Sequence, residues 1–199
     1  MRKAVLLLMV VACCGMVGCA VKQLTREEYL ALNEATDVAR IREYPGVSKD
    51  RMIAACESAL KASDNKYEIT QHMPDGFYAK RNWMVYMVIA AAWGDNHWKI
   101  IVEDKNGGSM VEARSWQGAS VGANPFPVSF PGKTENEYYT SPTLYKLFFD
   151  RVDYFLGLRS DWATCKNAEK NMHQYEQGAT IWLEPLCSIV RETDPTKPK

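Results

Sequence analysis

The stretch "HWKIIVEDKNGGSMVEARSWQ", residues 97 to 117, decides the fold. In its first half Trp98, Ile100 and Val102 alternate with His97, Lys99, Ile101 and Glu103. A period of two is what a strand with one buried face requires. Asn106, Gly107 and Gly108 follow. Asn and Gly tolerate the positive φ of a tight hairpin turn, so "SMVEARSWQ" is expected to return as the antiparallel partner. Working outward, "KYEITQH" and "FYAKRN" flank "MPDG", whose Pro and Gly suit turn positions, and this gives a second hairpin. Between the hairpins, "WMVYMVIAAAW" is apolar throughout. Its periodicity alone leaves strand and helix open, but its valines, aromatics and flanking turns favour a strand, with "GDN" at 94–96 as the turn before His97. The expectation is an antiparallel meander of four or five strands.

Helical signals bracket this meander. Thr25 and Glu28 have capping-box spacing, so a short helix should begin near Arg26. "REYPGVS" breaks it at Pro45 and Gly46, and a second helix is expected over 48–61, with Ser48 as N-cap and Met52, Ile53, Cys56 and Leu60 on one apolar stripe. Residues 118–142 hold Pro125, Pro127, Pro131 and Pro142 and read as a long surface loop. "SPTLYKLFFDRVDYFLGL" then offers Ser141 as N-cap, Pro142 at the first helical position and Gly157 as the stop. Its stripe of Leu144, Leu147, Phe148, Val152, Phe155 and Leu156 needs a sheet face to cover. "RSDWATCKNAEKNM" suggests one more short helix. Helices before and after a meander imply an α+β two-layer sandwich with helices on one face of the sheet. Over residues 48–157 this element order looks like the small periplasmic domains of outer-membrane assembly accessory lipoproteins, and the resemblance implies a helix-grip type of fold.

The N-terminus is read differently. "MRK" precedes "AVLLLMVVACCGMVG", and no charge falls between Lys3 and Lys22. A basic start followed by an apolar run is the layout of a secretory signal. "MVGC" at 16–19 resembles the lipobox of bacterial lipoprotein precursors. That resemblance implies that Cys19 is alkylated with diacylglycerol, that residues 1–18 are removed, and that acyl chains on Cys19 hold the protein at a lipid bilayer. A reading of "VVAC" with Cys13 as the modified residue leaves a short apolar region. Ala20, by the same resemblance, implies release to the outer membrane, facing the periplasm. The division that follows is a signal at 1–18, a lipidated tether with a short helix at 19–47, one α+β domain at 48–190 and a flexible tail at 191–199.

Loss of the signal removes two of the 24 basic residues and leaves 22 against 24 acidic ones. So near-neutral a balance speaks against nucleic acid as a partner, since that contact depends on basic patches that displace counterions. Cys56, Cys165 and Cys187 remain after the signal. Cys56 belongs to a helical stripe and reads as a small buried hydrophobe. In an oxidising periplasm Cys165 and Cys187 are the expected disulfide, with free thiols as the alternative.

Signals for chemistry are sparse. His72, His97 and His173 have no metal-ligand spacing, and neither a G-x-S-x-G elbow nor a phosphate-loop pattern occurs. No metal or cofactor is implied. Asp95, Glu103 and Asp104 are carboxylates beside expected turns, where solvation is the ordinary role. "NPFPVSFPGKTENEYY" places Phe126, Phe130, Tyr138 and Tyr139 in a proline-stiffened segment, as anchors for a partner or as a lid folded over the core. The function expected is that of a membrane-anchored envelope lipoprotein whose domain binds or scaffolds another envelope component, an envelope protein being one such partner. The competing reading is a periplasmic hydrolase with a site built from dispersed polar residues.

Overall fold

The computed structural model describes residues 24–87, 90–123, 126–129, 138–172 and 183–187. Helix α1 (Arg26–Ala39) and strand β1 (Ile41–Pro45) lead into α2 (Lys49–Ser63). Strands β2 (Glu68–Met73), β3 (Gly76–Met87), β4 (Ala90–Lys105), β5 (Gly108–Ala123) and β6 (Phe126–Ser129) follow, and α3 (Pro142–Leu156) and α4 (Cys165–Lys170) come after them. The fold is α+β. Its antiparallel sheet runs β1-β5-β4-β3-β2, with β6 also on β5.

The alternation in "HWKIIVEDK" translates directly into two faces. Trp98, Ile100 and Val102 are fully buried, as are Val111 and Ala113 on β5 and Phe77 on β3. Asn106 and Gly107 adopt the positive φ of the β4–β5 turn, at 49° and 77°. On the buried face α2 contributes Met52, Cys56, Ala59 and Leu60, and α3 contributes Leu144, Leu147, Phe148, Val152 and Leu156. Phe148 lies over Trp98 at 5.0 Å, with Tyr145 edge-on at 6.1 Å. Each such ring or branched chain withdrawn from water contributes about 1.5–3 kcal/mol before entropy is counted. The α3 caps match the sequence signals. Ser141 Oγ accepts from the Leu144 N–H at 3.2 Å, and Gly157 takes the left-handed conformation at φ 75°.

Three readings need correction. "GDN" is not a turn: Gly94, Asp95 and Asn96 pair in mid-strand with Trp83, Asn82 and Arg81, and Met87 is already opposite Ala90. Gly94 is there because a Cβ would stand 2.0 Å from the Gly118 carbonyl oxygen, the close backbone approach that glycine permits inside a strand. Residues 118–142 are not one loop, since β5 continues to Ala123 and β6 pairs back onto it from Phe126↔Ala123 to Ser120↔Ser129. Finally, "REYP" is a strand. β1 pairs with β5 from Ile41↔Glu112 to Pro45↔Gly108, and α1 lies against α3, so both elements of the expected tether extend the domain. The β5 edge is thus covered piecewise: by β1, by the Tyr139 N–H donating to Ser115 O at 2.7 Å, and by β6. Covering an edge this way removes a template for unwanted strand pairing.

Candidate functional site

Opposite the helix-packed face, alternation brings Tyr78 and Lys80 of β3, Asp95, His97 and Lys99 of β4, and Arg114 and Trp116 of β5 to one surface. His97 and Trp116 are cross-strand partners, and their rings stack at 5.2 Å with planes 6° apart. Tyr78 meets Trp116 edge-on at 6.5 Å, and Lys99 Nζ stands 5.3 Å above the Tyr78 ring, within cation–π range. Lys80 pairs with Asp95 at 3.1 Å. Burial pulls the His97 imidazole below its ordinary value, Lys80 adds to this, and Asp95 opposes it. His97 Nε2 is 4.0 Å from Asp95, beyond hydrogen-bond reach. The result is a half-buried patch of flat rings edged by both signs of charge. It can stack and form ion pairs with a docked surface.

Of the other carboxylates singled out from sequence, Glu103 and Asp104 are exposed at the far end of β4. His72 is exposed, 3.6 Å from Glu57, and His173 lies outside the described residues. Among the described residues no group of three His, Cys, Asp or Glu could hold a metal, and no helix is long and apolar enough to cross a membrane.

The aromatic segment divides. Tyr139 is 5% exposed and belongs to the core, with its hydroxyl donating to Gln117 Oε1. Tyr138 is half-buried at the β5 edge, donates to Asp37 Oδ1 at 2.6 Å, and lies under Arg40 and Arg114 at 5.0 and 6.0 Å. The Tyr138 hydroxyl is the main reason that the Asp37 carboxyl falls below its ordinary value. Burial pushes Glu112 up, but Arg114 and Arg40 outweigh it and hold the carboxyl below its usual range. Phe126 has its backbone in β6. Phe130 and Cys19 lie outside the described residues.

A polar cluster beneath the sheet had no sequence signal. Arg81, 2% exposed, donates from Nη1 to Asp64 Oδ2 at 2.8 Å and from Nη2 to Glu184 Oε1, and it stacks over Tyr67 at 5.4 Å. Asn96 Nδ2 donates to Glu184 Oε2 at 2.5 Å, Trp98 Nε1 to Tyr67 Oη at 3.0 Å, and Tyr67 Oη to Pro185 O at 2.6 Å. Arg81 Nε and Asn96 Oδ1 find no hydrogen-bond partner among the described residues. These bonds fasten residues 183–187 across the end of the core. The same segment carries Cys187, whose Sγ is 2.11 Å from that of Cys165, at disulfide distance. Cys56 is a buried free cysteine whose thiol is pushed far up by burial. No protein-family model, curated protein or solved structure matches the chain.

Proposed function

We propose that the chain is a bacterial envelope lipoprotein, tethered through acyl chains on Cys19 at the periplasmic side of the outer membrane, whose α+β domain binds or scaffolds an envelope protein. The lipobox-like "MVGC" and the charge-free run before it support the anchor. The observation that supports binding is the Tyr78–Trp116–His97 array, with Lys99, on the sheet face away from α2 and α3. Rings on a rigid sheet offer large contact area at small entropic cost, and flanking charges fix register with a partner. Tyr138 at the neighbouring β5 edge would extend that surface, and Phe126 and Phe130 are the further aromatics that the sequence offers to a partner.

The test uses the full chain. Cys19→Ser should abolish incorporation of labelled fatty acid, and labelling that persists would move the anchor to Cys13 or Cys14. Tyr78→Ala/Trp116→Ala, in which each lost cross-strand pair costs about 0.2–1 kcal/mol, should keep the fold and lose partners recovered by cross-linking in cells. Equal recovery would remove the face from the proposal, and loss only with Phe126→Ala/Phe130→Ala would place binding on the β6 segment instead.

A further inference from the structure

Arg151 on α3 is 1% exposed, and among the described residues no carboxylate pairs with it. Its Nε donates to Ala163 O at 3.0 Å, and Nη1 donates to Ser63 Oγ at 2.7 Å and to Leu186 O at 2.8 Å. Trp162 covers its face at 4.7 Å. The remaining contact is Nη2 to Cys165 Sγ at 3.3 Å. A buried cation is ordinarily paired with an anion, because the cost of removing it from water is otherwise uncompensated. Here burial pulls the guanidinium down to about 9, and it stays charged at neutral pH. Among the described residues its hydrogen-bond partners are neutral acceptors and one sulfur.

That sulfur becomes an anion when the Cys165–Cys187 bond opens. The two sulfurs are also unequally reachable, since Cys165 is buried at 5% exposure and Cys187 is half-buried. We propose that Cys165–Cys187 is an exchangeable disulfide, attacked at Cys187 by an external dithiol, with Arg151 receiving Cys165 as the departing thiolate. A thiolate leaves faster the lower its pKa, and a neighbouring arginine lowers that pKa. The attacking sulfur bonds to Cys187 Sγ as the Sγ–Sγ bond breaks, and its electron pair goes to Cys165. The dithiol's second sulfur then displaces Cys187, so the dithiol is oxidised to a disulfide and the protein gains two thiols, two electrons and two protons. The partner implied is a redox protein with an exposed vicinal dithiol. Opening frees the covalent hold on the segment that delivers Glu184 to Arg81 and Asn96, while the bonds to Pro185 O and Leu186 O keep it seated.

The test has two arms. In the first, the full chain with its accessible free thiols alkylated is incubated with glutathione in native buffer, quenched with a second alkylating agent and peptide-mapped. Glutathione on Cys187 with a newly labelled Cys165 is the expected result. Glutathione on Cys165, or adduct formed only in denaturant, would overturn the proposal. In the second, dithiothreitol reduction should slow about tenfold in Arg151→Met and stay within about threefold of wild type in Arg151→Lys. A folded Met variant that reduces as fast as wild type overturns it. If that variant does not fold, the mapping of the attacked sulfur in wild type decides alone.

Discussion

Arg81 and Arg151 bring two positive charges into one core and are compensated in opposite ways. Arg81 lies between Asp64, which caps the C-terminus of α2, and Glu184, so its charge is matched. Arg151 relies on carbonyls, a hydroxyl and a sulfur. Replacing Arg81 by methionine would leave the buried Asp64 and the half-buried Glu184 without the cation that joins them. Breaking a buried pair from one side costs about 3–5 kcal/mol, because the remaining charge stays desolvated. Arg81→Met should therefore lower the unfolding free energy measured by urea denaturation by about that amount, whereas a loss below about 1 kcal/mol would mean that Asp64 and Glu184 are hydrated and the cluster holds little together. The partners were not legible in the sequence. Arg81 falls in the odd-numbered, inward register of Phe77 and Ala79 in "FYAKRN", so the period of two turns it toward the core, but its partners are 17 and 103 positions away. Charge and local pattern carry no information about such a meeting.

Among the elements, the strands show how far a period of two reaches and where it stops. Trp98, Ile100 and Val102 point inward because every second residue must, and that inference needs only the strand itself. Gly94 needs its neighbour. By composition "GDN" is a turn signal, yet the glycine is there because the Gly118 carbonyl of β5 comes within 2.0 Å of where its Cβ would stand. A methyl group at that point would push two paired strands apart. Gly94→Ala is expected to lose at least about 2 kcal/mol, combining overpacking with strained ladder bonds. At Gly118 an added Cβ meets nothing within 4 Å, so Gly118→Ala should fall within about 1 kcal/mol of wild type. Thermal unfolding of the two variants compares the positions, and equal stabilities would show that the strands can separate locally to admit the methyl. The strands β1 and β6 escaped the reading for a related reason. Both contain proline, which is tolerated at a sheet edge, and the β5 edge they cover could not be located before the sheet was assembled.

For the molecule as a whole, the chain closes on itself at two places: β1 returns the N-terminal part to the sheet, and residues 183–187 return the C-terminal part to the core. The second closure is both covalent and non-covalent. Leu183 and Leu186 are buried, Tyr67 and Arg151 hold the Pro185 and Leu186 carbonyls, and Cys187 meets Cys165 across 22 residues of sequence. The cysteine pair was legible because Cys56 falls on a helical stripe and is removed from the choice, and the structure keeps it buried and unpaired. A cross-link closing a loop of that size stabilises by about 3 kcal/mol in the chain-entropy model. For a domain of this length, that corresponds to roughly 6–12 °C in Tm. Cys165→Ser/Cys187→Ser should lower Tm by this amount and still unfold in one cooperative step with a native near-UV spectrum, because the buried leucines and the two carbonyl bonds remain. A variant with unchanged Tm would show that the loop is already closed by packing alone. One that no longer folds would show that the non-covalent contacts cannot hold residues 183–187 without the bridge, and it would leave no folded state from which a reversible thiol exchange could operate.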